Sequence, residues 1–144
     1  MATYTIREIA RRFHVQTSTL RYYEDQGLLR NVERDDAGRR VYTDAHIGRL
    51  KAIVCFKHAG MSIDELKRFF AYEKDERAHI ADMLELLESR HHAILEQRAA
   101  LEEAYMHVLR KLHLYRDIQR SIETGEPYPD WANYDGKDFR ADDQ

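Results

Sequence analysis

Hydrophobic positions along the chain fall first into short helical periods, then into an irregular stretch, and finally into one long seven-residue repeat. Tyr4-Thr5-Ile6-Arg7-Glu8-Ile9 opens the first helix. Thr5 and Glu8 have capping-box spacing, in which hydroxyl and carboxylate each take an otherwise unpaired backbone N–H, and Tyr4 and Ile9 flank the box as a hydrophobic staple. Ile6, Ile9, Ala10 and Phe13 mark the apolar side of this helix. The chain turns at His14-Val15-Gln16, and a second helix is predicted from about Thr17 to Asp25, stopped by Gly27, which takes up a left-handed backbone without penalty. Two short helices about four residues apart have the spacing of a helix-turn-helix.

Helical period is lost after Leu28-Leu29. Asp35-Asp36-Ala37-Gly38 is turn chemistry and Arg39-Arg40-Val41-Tyr42 alternates as a strand does, so a small two-stranded wing is expected. Thr43 then caps a third helix, with Tyr42 and Ile47 as its staple and Gly60 at its end. Ala52-Ile53-Val54-Cys55-Phe56 is apolar on every side and is expected to be enclosed by other elements. Met61-Ser62-Ile63-Asp64-Glu65-Leu66 repeats the box (Ser62, Glu65) and the staple (Met61, Leu66), opening a fourth helix to about Tyr72.

From about Asp75 alternating steps of four and three select Ile80, Leu84, Leu87, His91, Ile94, Arg98, Leu101, Tyr105, Val108, Leu112, Tyr115, Gln119 and Ile122, ten of which are apolar or aromatic. So polar a helix has nowhere to bury such a stripe except on a like stripe, which predicts a coiled coil. Gly125, Pro127 and Pro129 end it. The acidic tail to Gln144 holds Tyr128, Trp131, Tyr134 and Phe139, more aromatics than a solvated tail needs; it is either loose or folded back over a small-molecule pocket. The predicted division is 1–73, 74–123 and 124–144.

Composition agrees with a mainly helical chain: 34% of the 144 residues are charged, with only 6 Gly and 2 Pro. The net charge of −3 hides an asymmetry, since residues 1–70 carry 13 basic and 9 acidic side chains and residues 71–144 carry 10 and 17. The positive end is where a polyanion would be met. No apolar run approaches the roughly 18 residues of a membrane span and no secretory segment follows the start, so a cytoplasmic protein is expected. The single cysteine, Cys55, forms no intramolecular disulfide and no zinc site by itself.

Four ordered blocks then carry a likeness: Tyr4-Thr5-Ile6-x-Glu8-Ile9-Ala10; Thr19-Leu20-Arg21-Tyr22-Tyr23-Glu24-x-x-Gly27-Leu28-Leu29; Gly38-x-Arg40-x-Tyr42; and Ala59-Gly60-Met61-Ser62-Ile63-x-Glu65-Leu66. Over Tyr4 to Phe69 the chain resembles the DNA-binding domain of MerR-type transcription regulators. The resemblance implies a winged helix-turn-helix followed by a long helix that forms an antiparallel dimer coiled coil. It implies a homodimer on double-stranded promoter DNA, distorting the spacer so that RNA polymerase engages both promoter elements, and no enzymatic activity or cofactor. Two places depart: His14-Val15-Gln16 replaces the family's usual Gly-Val-Ser turn, which passes the cap of the second helix to Thr17, and Arg30-Asn31 stands where a proline usually follows Gly-Leu-Leu.

A helix in the major groove needs short polar residues and a cation at its start, which Thr17, Ser18 and Arg21 supply. Tyr22 and Tyr23 point about 100° apart, one inward and one toward a phosphate. Arg39, Arg40 and Tyr42 on the wing and Lys57 on the third helix are the expected backbone grips. The dimer seam is expected at Ile80, Leu84, Leu87, His91, Ile94, Leu101, Tyr105, Val108 and Leu112. Cys55 looks like the single cysteine of the aldehyde- and nitrosative-stress-responsive branch; Lys51 and His58 share its side of the helix and would favour a reactive thiolate. The other reading of Cys55 is a small buried hydrophobe. No metal site is expected: seam His91 reads as a register-setting polar residue. The competing reading of the whole chain is a winged-helix adaptor that binds a protein partner instead of DNA.

Overall fold

The computed structural model describes residues 2–143; Met1 and Gln144, the ends of the first and third expected segments, lie outside the described residues. In chain order the elements are β1 (Thr3–Tyr4), α1 (Ile6–Phe13), α2 (Thr17–Asp25), β2 (Glu33–Arg34), β3 (Arg40–Thr43), α3 (Asp44–His58), α4 (Ile63–Tyr72) and α5 (Glu76–Thr124), with 3-10 turns at Glu73–Asp75, Trp131–Asn133 and Arg140–Asp142. They form two compact units, residues 1–92 and 93–144. Among the described residues no helix is long and apolar enough to cross a membrane.

In the first unit the caps form as their spacing requires. Thr5 Oγ1 accepts from the Glu8 N–H at 3.1 Å while Glu8 Oε1 accepts from the Thr5 N–H at 3.4 Å, and Ser62 and Glu65 repeat the exchange at 3.1 and 3.2 Å. His14 ends α1 in the left-handed region (φ 55°). Since the chain has already reversed there, Gln16 is extended and takes the N-cap of α2, making Thr17 its first helical residue instead of its cap. Gly27 (φ 76°) closes α2, and the Leu28 N–H reaches back to the Tyr23 carbonyl at 2.9 Å.

The sheet has three antiparallel strands, ordered β1-β3-β2, where two were expected. Thr3 pairs with Thr43 and Tyr4 with Tyr42; across the hairpin Glu33 pairs with Val41 and Arg34 with Arg40. Asp35 Oδ1 accepts from the Ala37 and Arg39 N–H groups at 3.0 and 2.9 Å, and Gly38 (φ 79°) supplies the turn conformation that a side chain would strain.

Behind the sheet, Ile9, Leu20, Leu28, Leu29, Tyr42, Ile47, Leu50, Ile53, Met61 and Leu66 form one buried cluster. Each aliphatic side chain fully removed from water contributes about 1.5–3 kcal/mol. Phe56 meets Phe69 edge-on at 5.2 Å, packing α3 on α4. The expectation that Ala52 to Phe56 is enclosed on every side is corrected: Ile53 is buried, Val54 and Phe56 are half-buried and Cys55 is exposed, because only one side of α3 meets the core within this chain. Early α5 packs on the same unit through buried Met83 and through Leu86, and Arg90 donates to the Gly60 carbonyl at 3.2 Å.

In the second unit the tail lies against α5. Phe139 stacks on His113 at 4.2 Å, Lys111 sits 3.9 Å over the Trp131 ring, and Tyr134 donates to Asp117. Arg110 donates to the Lys137 carbonyl at 2.6 Å and Arg140 to Glu102 at 2.7 Å; Leu109 and Leu114 are buried. At about 100° per residue, Arg110, Leu114, Asp117 and Ser121 lie opposite Leu101, Tyr105, Val108 and Leu112. Apart from Tyr105, which donates to Asp143, the tail thus leaves the heptad stripe uncovered.

Candidate nucleic-acid interface

On α2, Leu20 and Tyr23 are buried in the core, which turns Ser18, Arg21 and Tyr22 outward and leaves Thr17 half-buried at the first turn. The consecutive tyrosines divide as helical geometry requires, Tyr22 exposed and Tyr23 inward, with ring centroids 6.2 Å apart. Burial pushes the Tyr23 phenol above its usual pKa, so it stays protonated. Tyr23 is consequently a core residue, with no free face toward a ligand.

The wing residues separate in the same way. Arg39 projects into solvent with 79% of its side chain exposed, tethered by Asp35 at 3.1 Å within the hairpin. Asp35 is held below the usual carboxylate range, chiefly by the backbone N–H of Arg39. Arg40, expected to grip a DNA backbone, instead donates from Nε to Glu24 Oε2 on α2 at 2.6 Å, with both side chains largely covered. Tyr42 is fully buried, and its hydroxyl has no hydrogen-bond partner among the described residues. The placing of Tyr42 at a phosphate is therefore corrected: positions 40 and 42 share one face of β3, and that face is turned to the core.

Lys57 is exposed near the end of α3. Arg34 was missed by the sequence reading; it is exposed, lies opposite Arg40 in the hairpin and donates to the Gly38 carbonyl at 2.9 Å. Wing alternation was the signal that could have found it. The loop between α2 and the wing is tied by His46, whose Nδ1 accepts from the Thr43 N–H at 3.0 Å. That bond requires a bare Nδ1, so Nε2 carries the proton and donates to the Arg30 carbonyl at 2.8 Å.

Cys55 is exposed on α3 with exposed Lys51 and His58 one turn to either side, which overturns the reading of Cys55 as a buried hydrophobe within this chain. On α5, Ile80, Leu84, Leu87, Leu101, Tyr105, Val108, Leu112, Tyr115 and Ile122 are all exposed, His91 is exposed and Ile94 half-buried. Among the described residues no group of three or more His, Cys, Asp or Glu converges to hold a metal.

A family model described as MerR HTH family regulatory protein matches residues 4–73, and one described as MerR, DNA binding matches residues 47–110. An HTH-type transcriptional regulator of Haemophilus influenzae is 42% identical over 67 residues, covering 46% of this chain and 50% of that protein. The HTH-type transcriptional activator TipA of Streptomyces coelicolor is 35% identical over 103 residues, covering 71% of this chain and 41% of that protein. The chain thus spans half or less of the length of these two relatives. Among solved structures, the crystal structure of HiNmlR, described as a MerR family regulator lacking the sensor domain and bound to promoter DNA, superposes with a TM-score of 0.70 at 32% identity, covering 87% of this chain and 97% of that one.

Proposed function

Because the chain belongs to the MerR family of helix-turn-helix regulators, we propose that it is a dimeric, promoter-specific transcription regulator of the cytoplasm whose paired α2 helices read DNA. The observation that carries this reading is the exposed Ser18-Arg21-Tyr22 face of α2 beside a wing that presents Arg39, in a chain 32% identical to a regulator crystallised on promoter DNA. Ser18 and Arg21 meet base edges in the major groove, where a guanidinium is matched to guanine acceptors. Tyr22, Arg34, Arg39 and Lys57 hold phosphates and set the register. Residues 1–73 are the reading head, 74–123 the dimer helix and 124–144 its cap.

The uncovered stripe from Ile80 to Ile122 supports an antiparallel pairing of two α5 helices, which fixes the separation of the two heads. Heads held at a separation that straight DNA does not offer bend and underwind the promoter spacer, a deformation of roughly 1–6 kcal/mol, and RNA polymerase then engages both promoter elements. The action is binding and distortion, with no turnover.

Fluorescence anisotropy on the duplex upstream of its own gene tests the reading. Binding weakens steeply with salt, because phosphate contacts release counterions, and Arg21→Ala abolishes the preference over scrambled duplex. Absence of binding to any duplex at low salt would move the protein to the adaptor class, with a protein partner in place of DNA.

Cys55 is proposed as an electrophile sensor, supported by its exposure between Lys51 and His58. In a reporter strain Cys55→Ser abolishes induction by aldehydes while leaving duplex affinity unchanged; full induction in that variant removes the thiol from the mechanism.

A further inference from the structure

The two surfaces assigned to DNA, α2 and the wing, belong to different elements, and their mutual angle decides whether both engage one duplex. Among the described residues one ion pair joins them: Arg40 Nε on β3 donates to Glu24 Oε2 on α2 at 2.6 Å, with 20% and 25% of the side chains exposed. Glu24 follows Arg21 and Tyr22 on the reading helix, and Arg40 stands beside Arg39 and opposite Arg34 on the wing. Partial burial limits competition from water, and a charge-assisted bond this short constrains both side chains. The Arg39–Asp35 pair differs in both respects, being exposed and confined to the hairpin.

We propose that Glu24 and Arg40 are positioning residues that lock the wing to the recognition helix, so that Glu24 strengthens DNA binding in spite of its negative charge. The proposal rests on the DNA-binding reading and adds a sign to it. By charge alone, a carboxylate within a Debye length of phosphates repels them, and Glu24→Gln would tighten binding. As a lock, Glu24 holds the recognition helix and the wing at the angle one duplex accepts, and Glu24→Gln adds the cost of fixing that angle on binding. The two accounts predict opposite directions for one conservative substitution.

The experiment measures the affinity of the full chain for its upstream duplex and for a scrambled duplex across a salt series, for the wild type, Glu24→Gln, Arg40→Gln, their double variant and Arg39→Ala. Circular dichroism melts accompany each. Each single change in the pair is expected to weaken specific binding roughly tenfold, about 1.4 kcal/mol. The double variant is expected to bind no worse than either single, since residues acting through one contact are not additive. Specific-to-scrambled preference falls while the melt shows a folded protein. The salt slope stays at the wild-type value in Arg40→Gln, whereas Arg39→Ala lowers it by about one, as loss of a phosphate contact does. Should Arg40→Gln unfold, Arg40→Lys, which keeps the charge but not the planar fork, gives the same readouts with a smaller loss.

Unchanged or tighter binding by Glu24→Gln overturns the proposal, as does a salt slope reduced by one in Arg40→Gln, which would make Arg40 a phosphate ligand. Failure of the wild type to bind any duplex overturns the DNA reading and the lock together; wild-type binding with an indifferent Glu24→Gln overturns the lock alone.

Discussion

Replacing Tyr42 by Phe removes one oxygen from the centre of the N-terminal unit and leaves the ring where it is, edge-on to His46 at 5.5 Å. The hydroxyl is buried without a partner among the described residues, while in the unfolded chain it is hydrated. Such a group costs about 1–3 kcal/mol of stability. Against this stands the small void left by the oxygen, which at roughly 24 cal/mol per Å³ is worth only tenths of a kcal/mol. Tyr42→Phe is therefore expected to stabilise the fold by about 1 kcal/mol, a rise in Tm of about 2–4 °C for a chain of this size. Duplex affinity and its salt slope should not change. The assay pairs circular dichroism melts with anisotropy titrations. A lower Tm would show that the hydroxyl has a hydrogen-bond partner; a weaker complex with a shallower salt slope would return Tyr42 to the phosphate contact suggested by its position on the wing. The alkaline limb gives a second check. Burial raises the Tyr42 phenol above its ordinary pKa, so the folded state keeps a proton that the unfolded state releases. Stability is then level below about pH 10 and falls as the pH rises beyond it, and the fall is shallower in Tyr42→Phe.

Two further outcomes follow from the second unit. Leu101→Glu with Val108→Glu places charge in the uncovered stripe and is expected to yield monomers in size-exclusion chromatography with light scattering; a dimer of unchanged mass would show that α5 pairs through another face. The tail is expected to loosen in acid: Asp117 on α5 is lowered mainly by the Tyr134 hydroxyl of the tail, and within the tail the bond to Arg140 depresses the Asp138 carboxyl to about 2. Groups depressed on folding stabilise above the ordinary carboxylate range and lose that contribution as the pH falls from about 4 toward about 2. Fluorescence of the single tryptophan, Trp131, against pH reads the release, and a signal flat across that window would contradict it.

Local chemistry was legible in the sequence and pairing at a distance was not. The boxes at Thr5–Glu8 and Ser62–Glu65 and the stops at His14 and Gly27 depend on neighbours within one turn, and all four stand where spacing put them. β1 was missed because Thr3 and Tyr4 show no period of their own; their strand character comes from Thr43 and Tyr42, far along the chain. Tyr42 had been given two incompatible duties, stapling α3 through Ile47 and reaching a phosphate. Since side chains alternate along a strand, Tyr42 and Arg40 had to share a face, and the buried staple decides which face that is. Arg40 then leaves the core side by extending along it to Glu24, a partner no local pattern announces.

The tail shows the same limit with a different consequence. Four aromatics in an acidic segment signal docking, but not the surface they dock on, because α5 offers two. The heptad stripe is continuous in sequence and easily seen; the opposite face, with Leu114 among Arg110, Asp117 and Ser121, is too mixed to read as apolar until Trp131, Tyr134 and Phe139 cover it. The two faces can therefore be occupied at once, one by the chain's own end and the other by a second copy. Tyr105 is the residue that belongs to both, on the stripe and donating to Asp143. In the proposed dimer, tail release in acid should accordingly leave the two copies paired, and Tyr105→Phe should loosen the tail without dissociating them. If the dimer instead dissociates in step with the Trp131 signal, the faces are coupled and the tail is part of the seam.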